Sequence, residues 1–247
     1  MHKAPGAQPS CDDVGAVTLR SSTIAMLALI LANLTMIAVA VAQYPPFFYQ
    51  PGARIFLLES TSALAAYAVA ALRVGRSKSA SWDAILRVAF LFGILSGIVE
   101  ALNIALENAI PAIHTPALPI AFMLAIFTSW GVAAFRGGRS LNSVRAGVLT
   151  AVSSAAICLL IAVAAGFVIQ FFAAKPEPAY ISTWAEFKRS GWTDARAFGL
   201  ANTLDSAFSH LLVAPGVALI FGGVASLLAR FSPPKETSAA PVNRSGS

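Results

Sequence analysis

The chain has 247 residues, of which 57% are hydrophobic and only 11% charged, and its formal net charge is +6. Soluble domains carry about 25% charged residues, so these charges cannot cover a water-exposed globular surface, and the hydrophobicity excludes intrinsic disorder. The remaining class is an all-α, polytopic membrane helix bundle whose main partner is the lipid bilayer. The basic residues fall in short clusters between apolar runs, a pattern of membrane orientation that leaves no nucleic-acid partner expected. Cys11 and Cys158 stand apart with no Cys-x-x-Cys pair, so neither a disulfide framework nor a thiolate zinc site is expected.

In chain order, residues 1–22 read as an N-terminal tail. Six apolar runs follow, at about 23–43, 54–74, 84–106, 116–135, 144–172 and 198–231. Each approaches or exceeds the ~20 residues that cross a bilayer as a helix. They lack the period-2 alternation of strands and are rich in Ala and Leu. Together they predict a transmembrane domain over 23–231. Ala40-Val41-Ala42 has the small-x-small form of a signal-peptidase site, but the apolar stretch before it is long for a signal peptide, and a retained helix is expected. Pro215 lies inside the sixth run and predicts a kink, because proline lacks the backbone donor and clashes with the preceding turn.

Orientation follows from Lys and Arg. Twelve of the 17 flank one side: Lys3, Arg20, Arg73, Arg76, Lys78, Arg87, Arg136, Arg139, Arg145, Arg230, Lys235 and Arg244. The bias predicts both termini in the cytoplasm, and with helices of single-span length it suits a bacterial inner membrane. The fifth connection, 174–197, is the sizeable external piece. Pro176 and Pro178 stop the preceding helix, and Thr183-Trp184-Ala185-Glu186 fits a capping box. Trp184, Phe187 and Trp192 then predict a short interfacial helix, matched by Tyr44, Phe47, Phe48 and Tyr49 in the first connection. Its sharper alternative is a lid over a site. Residues 232–247, rich in Pro, Ser and Ala, read as a disordered cytoplasmic tail.

Ionisable groups within lipid mark function by default. At ~1.5 Å per residue, Glu59 lies ~7 Å below the outer face, Glu100 ~10 Å, Asp205 ~10 Å and His210 ~18 Å. Ser96, Glu100, Asn103 and Glu107 share one face of the third helix at i, i+4, i+7 and i+11. Asn202, Asp205, Ser206, Ser209 and His210 form a polar stripe on the sixth span. A small-residue row, Ala89, Gly93, Gly97 and Ala101, lets another helix approach the third closely. The third helix is therefore expected to be central, its polar face meeting that of the last span, with Glu59 nearby. The plain alternative is that these polar groups are interhelical hydrogen-bond glue.

Glu59, Glu100, Asn103, Asp205 and His210 thus form the candidate site. Its first reading is small-solute handling or ion- or proton-coupled transport, since carboxylates and an imidazole can relay protons or hold a cation. Its second is an embedded hydrolase acting at the outer leaflet, with Glu100, Asp205 and His210 as mixed ligands for a divalent metal. No His-Glu-x-x-His or Gly-x-Ser-x-Gly supports that reading. The third is a non-catalytic subunit or assembly factor, with a membrane-protein partner or a second copy. No cofactor signature appears, and a bis-histidine haem is disfavoured because His114 falls in a connection.

Overall fold

The structure is a computed structural model that describes residues 21–77, 79–109, 117–169, 181–183 and 185–232. The described residues form an all-α bundle. Its elements are α1 (Ser21–Gln43), a 3₁₀ turn (Pro45–Tyr49), α2 (Ala53–Arg76), α3 (Ser81–Ala109), α4 (Ala117–Ser140), α5 (Val144–Gly166), α6 (Ala185–Ser190) and α7 (Ala195–Phe231). Six of these helices are long and apolar enough to cross a membrane, and the chain is a multi-pass integral membrane protein. The side holding Gln43, Ala53 and α6 is termed outer, following the Lys/Arg distribution. The tails, His114, Lys78 and Trp184 lie outside the described residues, as does the Glu107 side chain.

Local chemistry sets the helix ends. Ser143 caps α5 by accepting from the Ala146 amide at 3.3 Å, and Asp194 caps α7 by accepting from the Ala197 amide at 2.9 Å, each satisfying an orphan donor of the first turn. Gly52 enters α2 in the left-handed region, at φ 76°, a conformation open to glycine without steric cost.

α5 occupies the centre of the bundle, packing on α1, α3, α4 and α7. Of its most apolar stretch 56% is buried, against no more than 33% in any other span. This corrects the expectation that α3 is central. The reason is side-chain size: between Arg145 and its end α5 carries no charge and is rich in Ala with Gly147 at its inner end, and small residues let neighbouring helices approach closely. The α3 glycines serve it instead. A Cβ on Gly93 would lie 2.7 Å from Ile157 Cβ, and one on Gly97 would lie 2.9 Å from Ile161 Cβ, so the α3 backbone rests directly on the Ile157 and Ile161 side chains of α5.

Buried polar side chains bind helix to helix. Asn33 of α1 donates to the Leu160 carbonyl of α5 at 2.9 Å. Ser60 of α2 donates to the Leu204 carbonyl of α7 at 2.8 Å, and Tyr67 donates to the Leu211 carbonyl at 2.8 Å. Trp130 Nε1 of α4 donates to Ser96 Oγ of α3 at 3.3 Å. For Ser96 the glue role of polar residues in lipid is therefore observed. α7 continues as helix through Pro215 across all its 37 residues.

The inner half of the bundle is closed by small residues. A Cβ on Gly147 would collide with Ser226 Oγ, one on Gly137 would collide with Thr150 Oγ1, and one on Gly222 would lie 2.7 Å from Ala151 Cβ. α4, α5 and α7 thus meet there with no room between them.

Candidate functional site: a cavity among four helices

Above that seal α4 and α7 stay in aromatic and apolar contact. Phe127 stacks on Phe221 with ring centroids 5.0 Å apart, and Ile126 packs into the cluster that holds Ala218. The outer ends of the two helices then serve different neighbours: α7 packs on α2 as well. Among these helices lies a cavity of about 380 Å³ walled by α3, α4, α5 and α7. This lies within the size range of small-molecule sites.

Most of the wall is apolar or aromatic: Ile126, Phe127, Trp130, Leu159, Val163 and Phe167 lie around it. Phe167 sits where α5 widens into a π-turn over residues 167–169, a distortion frequent at functional sites. Polar groups come from facing helices. Glu100 enters from α3, while Thr203, Ser206 and His210 enter from α7. Cys158 of α5 lines the wall too, its thiol beside Ser96 and Trp130.

Glu100 is half-buried, and Asn103 one turn on donates to its Oε2 at 3.5 Å. Asn103 is itself only 8% exposed, and its Oδ1 has no hydrogen-bond partner. His210 is exposed at the cavity mouth. Its Nδ1 lies 2.6 Å from the Ser206 carbonyl. A carbonyl only accepts, so Nδ1 carries the proton in this contact and Nε2 is left as the ring's second site.

The five candidate residues separate. Glu100 and His210 line this cavity, and Asn103 reaches it only through its contact with Glu100. Asp205 does not line it and stands exposed on α7 with Asn202 and Ser209. The ~140° between positions five apart on a helix explains why His210 faces the cavity and Asp205 does not. Glu59 is also absent from the lining. Its helix, α2, packs on α1 and α7, on the far side of α7. The expected meeting of polar faces is therefore the sharing of one cavity by Glu100 and His210, not a helix contact. Among the described residues no three His, Cys, Asp or Glu side chains gather where they could hold a metal ion, so Glu100, Asp205 and His210 do not form a ligand set.

The external aromatic segment lies elsewhere. Trp192 packs between Phe47 and Phe198, with ring centroids 6.3 and 5.7 Å away, and Phe187 meets Phe198 edge-on at 5.4 Å. Together they cover the α1–α2–α7 side. Neither Phe187 nor Trp192 lines the cavity. Tyr44 Oη donates to Asp194 Oδ2 at 2.6 Å, and the Arg196 guanidinium lies over the Tyr44 ring at 5.6 Å. Desolvation, reinforced by the Asp194 hydrogen bond and charge, pushes the Tyr44 phenol up to about 12 against the opposing pull of Arg196.

Thr203, Phe127, Trp130, Phe167 and Cys158 escape a reading of ionisable residues. Their signal is tertiary, because an aromatic residue in an apolar helix looks the same whether it faces lipid or a cavity. No protein-family model matches the chain, and neither curated proteins nor solved structures show significant similarity to it.

Proposed function

We propose that this integral membrane protein handles a small solute, moving it by ion or proton coupling through the α3–α4–α5–α7 cavity. The observation that carries the reading is that Glu100 and His210, on different helices, both line a mostly apolar space about 380 Å³ in volume. A carboxylate and an imidazole are the side chains that exchange protons near neutral pH when their surroundings change. The glycine-lined seal beneath the cavity supports an outward-facing state. Moving a solute inward would require α4, α5 and α7 to part at Gly137, Gly147 and Gly222. The Lys/Arg bias favours a bacterial inner membrane as the setting.

The test uses proteoliposomes loaded with a pH-sensitive dye and a panel of small organic cations, anions and neutral solutes. At least one class should shift lumenal pH in a protein-dependent manner, and Glu100→Gln should lower that flux about tenfold, the size of one lost charged contact of ~1.4 kcal/mol. Silence across the panel, or full activity in Glu100→Gln, defeats the reading.

A separate observation favours self-association. Asn202, Asp205 and Ser209 present a polar edge on the exposed side of α7, and polar groups at membrane depth turn towards protein and not lipid. The reading is a dimer of this chain through that edge. Native mass spectrometry from nanodiscs should give a dimer that Asp205→Leu reduces to monomer, and a monomeric parent defeats it.

A further inference from the structure

The cavity runs from a buried floor to a rim exposed in the membrane. Phe167, Cys158 and Trp130 line it and are buried. Met123 of α4 and Val213 of α7 line it too, yet they are 48% and 59% exposed. A crossing of ~20 residues placed anywhere along the 24 residues of α4 contains Met123, and one placed anywhere along the 37 residues of α7 contains Val213. The rim therefore opens on lipid chains wherever the bilayer sits along these helices.

The polar groups of the wall stand on different helices and differ in what they have left to bond. Glu100 of α3 is engaged within the chain: it accepts from Asn103 Nδ2 at 3.5 Å and holds a further interaction. His210 of α7 is engaged on one side of its ring. Its Nδ1 donates to the Ser206 carbonyl at 2.6 Å, with Ser206 Oγ also 3.4 Å from that nitrogen. These contacts turn Nε2 away from that turn of α7, and among the described residues nothing bonds it. In the neutral ring Nε2 is an acceptor, and an acceptor beside lipid is costly without a donor. The rest of the wall is mainly aliphatic and aromatic, with the Phe127 and Trp130 rings 5.5 Å apart, and no Lys or Arg lines it. The volume accommodates about a dozen non-hydrogen atoms at ~30 Å³ each.

We propose that the cavity takes an uncharged lipophile bearing a hydroxyl donor, a lipophilic phenol being the simplest case. The molecule enters from the bilayer past Met123 and Val213, lays its apolar body against Phe127, Trp130 and Phe167, and donates its hydroxyl hydrogen to His210 Nε2. This names the solute class for the transport reading above and rests on it.

Equilibrium dialysis on the full chain in zwitterionic-lipid nanodiscs tests the proposal, with empty discs subtracted and affinities referred to the probe concentration in lipid. The probes share one tail: 4-hexylphenol, its methyl ether 4-hexylanisole, (4-hexylphenyl)trimethylammonium and 4-hexylbenzenesulfonate. Saturable binding of one 4-hexylphenol per chain is expected, about tenfold tighter than the ether, which keeps the shape and loses the donor, and tighter than either ion. His210→Phe keeps a ring without the acceptor and should make phenol and ether equal, whereas Asp205→Asn should leave the preference intact. Equal affinity for phenol and ether in the parent, an ion bound as tightly as the phenol, a preference that survives His210→Phe, or no saturable site overturns the proposal. The parent comparisons decide the matter even if His210→Phe fails to fold. Selective phenol binding without protein-dependent proton flux defeats transport and leaves the ligand assignment standing. Flux driven by ionic solutes, with no phenol preference in binding, defeats the ligand assignment alone.

Discussion

Tyr67 and Pro215 are coupled through a single carbonyl. Proline at 215 has no amide hydrogen to give to Leu211, four residues earlier, and Tyr67 Oη of α2 donates to that oxygen at 2.8 Å. In lipid no water can substitute, so a neighbouring helix must supply the donor. This bond accompanies the unbroken helix through Pro215 and attaches α2 to α7 two helical turns below the Ser60–Leu204 bond.

A double-mutant cycle reads this coupling. Tyr67→Phe should cost about 1 kcal/mol, in the range of hydrogen bonds within membranes. Adding Pro215→Ala restores an amide donor at 215, so the double variant should recover most of the loss. Reversible SDS unfolding in mixed micelles measures both. Additive losses would show that the Leu211 carbonyl is not the shared element.

The inner seal predicts a steric dependence. A methyl at Gly147 collides with Ser226 Oγ and would lie 2.6 Å from the Ala134 carbonyl. Gly147→Ala should destabilise by about 1–3 kcal/mol, typical of overpacking. Ser226→Gly removes one of the two obstacles, so the pair should lose less than the sum of the single changes. Thermal unfolding in nanodiscs supplies the comparison.

Asp194 serves two partners, the Ala197 amide and the Tyr44 hydroxyl. Asp194→Ala should cost about 1 kcal/mol for the cap alone, and Asp194→Ser should recover the cap without reaching Tyr44. The folded phenol pKa of about 12 lies above its ordinary value of 10.0, so the folded state holds that proton longer. The stability linked to it is complete below pH ~10 and is lost as pH rises through about 12. Ring-carbon NMR of labelled tyrosine should show Tyr44 titrating late, and Asp194→Ala should bring its midpoint back towards 10. A midpoint that stays high would leave desolvation as the sole cause.

The cavity separates acids that look equivalent along the chain. In the dye-loaded proteoliposomes Glu100→Gln should lower solute-driven proton flux about tenfold, whereas Glu59→Gln should stay within twofold of the parent, because Glu59 does not line the cavity. Equal losses from both substitutions would remove the cavity from the mechanism.

Much of the architecture is legible in the sequence. Six crossings follow from the lengths of the apolar runs, because spanning a bilayer requires each helix to satisfy its own backbone and hide about twenty residues, which is a local property. The place of Glu100 on a polar face of α3 follows from helical periodicity in the same way. What only the tertiary structure decided is how each helix is rotated and which helix is enclosed. Lipid-facing and core-facing surfaces are equally apolar in such a chain, so hydropathy carries no contrast between them. Hence α5 and not α3 is central, because its small, uncharged surface admits close neighbours on every side. Hence also His210 lines the cavity with Glu100 while Asp205, five residues before it, turns away.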